Sequence, residues 1–270
     1  MIPASFEYHR ASSLDDAVAA LKANEDAKVL AGGHSLIPLL RLRFARPSML
    51  VDIGELDELR YVRADGDRIA IGALTRHSDL ARDAALIEGC TMLADAAGQI
   101  GDPQVRHRGT IGGSIAHGDP VSDIPAVLVA VDADLVAHGP DGERTIPASA
   151  FFEGVYQTAL APDEMLTEIR VPAIAAGRYM KFVRRAQDWA TVGAAVARVD
   201  GRTQIGLASM GATPLRAHGV EESLAAGASP AEAAARVAEG TEPPSDVSGS
   251  SEYRAHLAQV LVRRALEQLA

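Results

Sequence analysis

Two stretches of the chain, AGGHSLIP from Ala31 to Pro38 and GTIGGSIAHGDPVSD from Gly109 to Asp123, set paired glycines beside hydroxyl residues where an apolar run gives way to a helical pattern. At the first stretch, the amides near Gly32, Gly33, His34 and Ser35 would point out of a strand-to-helix turn with the positive end of the helix dipole behind them. That arrangement suits an anion. Side chains at 32 and 33 would obstruct its approach, so glycine is the residue expected there. Ser35 is expected to cap the helix, and Pro38 then falls in the first turn, where a missing N–H costs nothing. The loop carries no lysine and the pattern GxxxxGK[ST] does not occur, which excludes a nucleoside-triphosphate loop of that type.

A lone Gly-Gly pair more often marks nothing but a tight turn. The second stretch repeats the arrangement with Thr110, Ile111, Gly112, Gly113 and Ser114, then adds Asp119 and Asp123. Two amide-rich loops can clamp a diphosphate from both sides, and Asp123 suits hydrogen bonding to sugar or base groups. Together they suggest a dinucleotide lying between two lobes. Asp119 and Asp123 can also be read as turn or helix-capping residues.

Other chemistries find little support. A single cysteine, Cys90, excludes an internal disulfide and a four-cysteine cluster or zinc ribbon within this chain. Cys90 reads as a small core residue. The eight histidines form no HxxxH or HxH pair, and no metal site is expected. A net charge of −10 and only 4% aromatic residues argue against nucleic-acid binding. The one basic run, RYMKFVRR, reads as a solvated face, or more sharply as a docking surface for an acidic partner. No stretch reaches the ~20 apolar residues of a bilayer span. A cytoplasmic location is expected, at the inner face of the membrane through partners.

The elements that must position these loops can be read in outline. SSLDDAVAALKAN reads as a helix capped by Ser13. YVRADGDRIAIGA, LVAHGPDGERTIP and VARVDGRTQIGLA each read as a β-hairpin with Asp-Gly at or near the turn. HSDLARDAALIEGCTMLADAAGQIG reads as one or two helices, and PAEAAARVAEG and EYRAHLAQVLVRRALEQLA as helices late in the chain. Hairpin-linked strands with interspersed helices favour α+β over a doubly wound parallel sheet. PAIAAGR, near residue 175, reads as a domain boundary.

These residues resemble the flavin-binding subunits of the molybdenum hydroxylases, and within that family most of all the medium subunits of the aerobic carbon monoxide dehydrogenases. The likeness rests on AGGHSLIPLL, GDPQVRHRGTIGGSIAHGDPVSDIPA, the start MIPASFEYHR, EMLTEIRVP and EYRAHLAQVLVRRALE, and so spans nearly the whole chain. It implies an FAD-binding domain of the vanillyl-alcohol-oxidase (PCMH) type over residues 1–175, in two lobes divided near residue 57. A small C-terminal domain with a β-sheet and helices is implied over 176–270. By resemblance the diphosphate of FAD is held by Ala31, Gly32, Gly33, His34, Ser35 and Leu36 and by Thr110, Ile111, Gly112, Gly113 and Ser114. Asp123 matches a position contacting the adenosine part, and Leu166 and Lys181 match positions near the flavin. Trp189 stands where relatives often carry tyrosine; it reads equally as a cover for the flavin ring or as core packing. His34 reads as a loop residue whose amide matters more than its imidazole.

The implied function is that of an FAD-carrying subunit. A small iron–sulfur partner with two [2Fe–2S] clusters delivers electrons, a large partner with the molybdenum cofactor oxidises the substrate, and an acceptor such as a quinone takes the electrons away. A dimer of three-chain units is implied, with carbon monoxide as the substrate. An N-heterocycle, purine or aldehyde substrate is the alternative within the family. Two further rivals are a free-standing FAD oxidoreductase, for which the C-terminal residues offer few convergent polar groups, and a scaffold without cofactor. No residue of this chain is expected to act as a catalytic acid, base or nucleophile.

Overall fold

The first two strands and helices alternate along the chain, and their apolar faces build a small parallel sheet. A computed structural model describes residues 2–174 and 176–269, so Ala175, at the expected domain boundary, and Ala270, the last residue of the expected C-terminal helix, lie outside the described residues. Ser13 accepts a hydrogen bond from the Asp16 amide (3.1 Å) and so starts the helix Leu14–Ala23. That helix buries Ala17, Val18 and Leu21. It carries the chain from strand Glu7–Arg10 to strand Lys28–Leu30, and helix Leu36–Leu42 carries it on to strand Met49–Asp52. Met49–Asp52 lies between the other two strands and runs parallel to both. The chain is α+β overall, and among the described strands this sheet alone is parallel.

A five-stranded antiparallel sheet follows, in the order Val62–Asp65, Arg68–Gly72, Met165–Pro172, Asp134–Gly139, Gly142–Pro147. Both of its hairpins are those expected from the Asp-Gly signals, with φ of +64° at Gly66 and +101° at Gly142. Between strands Arg68–Gly72 and Asp134–Gly139 the chain leaves the sheet to form a run of short helices, and these carry the second glycine loop. The stretch from His77 forms three helices, not one or two: His77–Leu80, Ala84–Gly89 and Thr91–Gly98. Asp83 interrupts the pattern by capping the second of them, accepting from the Leu86 amide (3.1 Å). The backbone at Cys90, extended at φ −153°, separates the second from the third. Cys90 itself is fully buried.

The last sheet is a four-stranded antiparallel meander of Ala176–Phe182, Val192–Val199, Arg202–Ala208 and Leu215–Arg216. Its Asp200-Gly201 turn has positive φ at both residues, 48° and 75°, as a tight two-residue hairpin requires. Strand Val192–Val199 is buried on both faces. Ala195, Ala197 and Val199 join the core of the preceding unit, whereas Ala194 and Val196 join a second core closed by the long helix Ser251–Leu269. Alternation with period two therefore ties the two cores through one strand.

Helix Asp123–Ala130 lies against this meander at backbone distance. A Cβ on Gly206 would collide with the Ala126 carbonyl and sit 3.1 Å from the Ala130 amide. Overpacking of this kind costs about 1–3 kcal/mol. Gly206→Ala is accordingly expected to lower the unfolding free energy measured by urea titration by that amount, and an unchanged unfolding free energy would mean that the helix and sheet are free to separate.

Candidate functional site

The first glycine loop leaves the strand Lys28–Leu30 and enters the helix Leu36–Leu42, whose hydrogen bonding begins when the Ile37 amide donates to the Gly33 carbonyl (2.9 Å). Ser35 has helical backbone angles and its hydroxyl makes no capping bond, so the expected cap is absent. Gly33 adopts φ +78°, and the turn therefore rests on glycine there. Among the described residues, the amides of Gly32, Gly33, His34, Ser35 and Leu36 donate to no protein acceptor. Five consecutive free donors make a cradle for an anion.

The second loop is built differently from the expectation. Its amides are already engaged: Ile111 donates to the Thr75 carbonyl (3.0 Å), Gly112 to the Ala73 carbonyl (2.8 Å), Gly113 to the Thr110 hydroxyl (3.2 Å) and Ser114 to the Thr110 carbonyl (3.0 Å). Thr110 is thus the N-cap of the helix Ile111–His117. What this loop leaves free among the described residues is the Thr110 amide and the half-buried Ser114 hydroxyl.

The glycines bring the two loops together. A Cβ on Gly32 would collide with the Arg108 carbonyl and lie 2.9 Å from the Gly109 Cα, while one on Gly113 would reach the Ala31 Cβ at 4.0 Å. Gly112 is held against Ala73, where a Cβ would lie 2.8 Å from the Ala73 carbonyl oxygen. Gly32 and Gly112 therefore serve loop packing first, and the amides that this packing leaves open are the ones free to meet an anion.

Basic side chains gather around His77 beside the second loop, and the sequence reading missed them. Arg76 reaches the Arg108 carbonyl, and Arg76 pairs as an isolated β-bridge with Thr110. Arg106 donates to the Ile100 carbonyl at 2.9 Å, which orients its guanidinium. His77 is buried with its Nδ1 unpartnered, and a Cβ on Gly109 would sit 2.8 Å from its ring. Burial, followed by the charges of Arg106, Arg76 and His34, presses the His77 imidazole down to about 4. Burial and the neighbouring Arg60 and Arg108 lower the Arg76 guanidinium as well. Within a chain of net charge −10, this is a local excess of positive charge that a dianionic diphosphate relieves. The Arg-His pair at a strand-to-helix turn, just before the quoted helical run, is the signal that could have found it.

The residues assigned to the rest of the cofactor fall in three places. Asp123 and Lys181 come together: Lys181 Nζ donates to Asp123 Oδ2 at 3.0 Å with both side chains almost wholly buried, and the Tyr179 hydroxyl donates to Oδ1. Burial raises Asp123 above the usual carboxylate range, against the pull of Lys181 and Tyr179, and raises the Tyr179 phenol well above its ordinary value. The run RYMKFVRR is therefore not simply a solvated face, since Tyr179 and Lys181 point inward from it. Leu166 is core, 4% exposed. Trp189 is 57% exposed, which overturns core packing for its indole. Asp119 is a turn residue, accepting from the Val121 amide at 3.1 Å. A concavity of about 500 Å³ opens among Phe182, Arg184, Asp246 and Tyr253, and none of its lining residues belongs to either glycine loop. Among the described residues no group of three or more acidic, histidine or cysteine side chains could hold a metal ion. Nor, among the described residues, is any helix long and apolar enough to cross a membrane.

Comparison with known proteins places this geometry. Residues 4–174 match the FAD binding domain in molybdopterin dehydrogenase, and residues 177–269 match the CO dehydrogenase flavoprotein C-terminal domain. The carbon monoxide dehydrogenase medium chain of Hydrogenophaga pseudoflava is 45% identical, over 98% of this chain and 97% of its own. That of Afipia carboxidovorans is 41% identical, over 99% and 98%. The solved carbon monoxide dehydrogenase from Hydrogenophaga pseudoflava superposes with a TM-score of 0.94 at 45% identity, covering 99% of this chain and 98% of that one.

His77 gives a pH test of the site. Its folded pKa lies below the unfolded value of 6.5, so the stability gained by keeping it neutral is present above that value and is lost as pH falls toward about 4. The shift corresponds to about 3 kcal/mol. Urea midpoints measured between about pH 7 and pH 4.5 should fall steeply for the wild type and more gently for His77→Gln. Equal slopes would remove His77 from the account.

Proposed function

Since the chain belongs to the FAD-binding subunits of the molybdenum hydroxylases, we propose that it is the medium subunit of an aerobic carbon monoxide dehydrogenase. In this reading it receives electrons from the [2Fe–2S] clusters of a small partner and passes them to a quinone-type acceptor. The carbon monoxide is oxidised with water to carbon dioxide on a large molybdenum-bearing partner. Two three-chain units form the assembly, in the cytoplasm and within reach of the membrane through the partners and the quinone. Near-full-length identity of 45% to a carbon monoxide dehydrogenase medium chain carries the reading.

Bound FAD supplies the redox chemistry between cluster and acceptor. The chain supplies binding, orientation and field. The five open amides from Gly32 to Leu36, with the Thr110 amide and the Ser114 hydroxyl, would hold the diphosphate. Arg76, Arg106 and Arg108 hold a positive potential there. The exposed Trp189 indole would be available to cover a face of the flavin, and unlike tyrosine it would offer no hydroxyl. Asp123 and Lys181 act as a pair, each limiting the other's freedom to turn toward the cofactor. The same reading takes residues 1–175 as the FAD-binding unit, in lobes divided near 57, and 176–270 as the C-terminal unit.

The test is the complex itself, co-expressed with its partner chains and purified on a tag carried by this chain. One FAD per copy of this chain, with iron and molybdenum present and carbon monoxide driving quinone reduction, is the expected result. Oxidation of an N-heterocycle, purine or aldehyde in place of carbon monoxide would move the substrate within the family, and a solitary flavin-bearing chain would end the proposal.

Gly33→Asp adds bulk at a positive φ, 2.7 Å from the Ile37 side chain, and sets a carboxylate beside the diphosphate. FAD per assembled complex should fall by about tenfold or more. Gly33→Ala, which brings the αL strain of about 1–2 kcal/mol without charge, should retain more. Equal flavin content in all three proteins would place the diphosphate elsewhere.

A further inference from the structure

The helix Leu36–Leu42 starts at the cradle and turns an apolar face to solvent. Leu40 is buried beneath it, yet Ile37, Leu42 and Phe44 are 45%, 55% and 79% exposed, and Ile2 beside them is 81% exposed. Arg43 Nε donates to the Ile2 carbonyl at 3.3 Å, which joins the N-terminal segment to the end of the helix, and Arg46 Nε donates to the Arg43 carbonyl at 3.2 Å. Between Asp26 and Asp52 the chain has no carboxylate, while Lys28, Arg41, Arg43 and Arg46 all fall in that interval. An exposed apolar stripe rimmed by cations, in a chain of net charge −10, has the composition of a recognition surface.

From this surface we infer that the helix Leu36–Leu42 and the Arg43–Arg46 turn form the docking face for the iron–sulfur partner, which meets it with apolar residues rimmed by Asp and Glu. The inference rests on the proposed function, because that reading requires electrons to arrive at a group held by this very loop. Charge argues for an acidic partner and against a second copy of this chain, whose like face would oppose cation to cation. Position argues for the cluster-bearing chain. The helix is about 10 Å long at 1.5 Å per residue, so a protein seated on it lies within one helix length of the cradle.

Two variants of the co-expressed complex test it: the double variant Leu42→Asp with Phe44→Asp, and the single variant Arg41→Glu. All three positions are exposed, so circular dichroism and the thermal midpoint of this chain should match the wild type. The double variant is expected to recover the iron–sulfur chain about tenfold less well. Arg41→Glu should weaken recovery several-fold at low salt and flatten its salt dependence. Wild-type recovery in Arg41→Glu and a folded double variant would overturn the inference, as would loss of the molybdenum chain with the iron–sulfur chain retained. Should the double variant misfold, Arg41→Glu decides alone. A wild-type complex that assembles without FAD would defeat the proposed function instead and leave the docking result readable.

Discussion

The two glycine loops meet backbone to backbone, and that close approach is the constraint on which the rest depends. Gly32 belongs to the parallel sheet's connection and Arg108 to the helical run carried by the antiparallel sheet. A single methyl group at position 32 would drive the two apart. Because the loops cannot separate, the first loop's amides are held in an open turn and have no neighbour to pair with. Donors left unpaired in this way are costly unless water or a ligand meets them. The division of labour between the loops follows. The second spends its amides on Ala73, Thr75 and Thr110 and is rigid, which allows the first to keep its own free.

Charge is arranged on the same frame. The chain as a whole is acidic, yet Arg76, Arg106 and Arg108 converge where the loops touch, and the buried His77 stays neutral among them. A desolvated imidazole with an unpartnered Nδ1 is a local cost. It is tolerable because a protonated ring would face the same arginines, whereas the neutral ring packs against Gly109. The positive field of these arginines disfavours a further cation at His77.

The C-terminal sheet is joined to this frame by a polar and an apolar device. The polar one is the Asp123, Lys181 and Tyr179 cluster, and it has room because a Cβ on Gly193, which lies opposite Lys181 in the sheet, would come within 2.5 Å of the Tyr179 hydroxyl. The apolar one is the strand Val192–Val199, whose alternating side chains enter two cores at once. Such a link transmits position: Lys181 is carried on a sheet that cannot shift without disturbing both cores, and Trp189 on the loop joining two of its strands.

Much of this was legible along the chain because it is local. The three Asp-Gly hairpins, the Ser13 cap, the burial of Cys90 and the recurrence of the glycine-pair motif all follow from short-range rules of turn chemistry, capping and periodicity. Family likeness extended that reading to the cofactor and the partners. What the chain alone did not determine is what each glycine and each charge meets. That Gly32 serves the Arg108 carbonyl, that Asp123 faces Lys181 and Tyr179 in a buried site, and that Trp189 stands in solvent depend on residues distant in sequence. Contacts at that range are set by how whole sheets and helices pack, and no local pattern encodes them. Residue types and their spacing therefore determined that two glycine turns suited to an anion occur in this chain, and the tertiary structure decided which of their donors are left free, because only packing uses up the others.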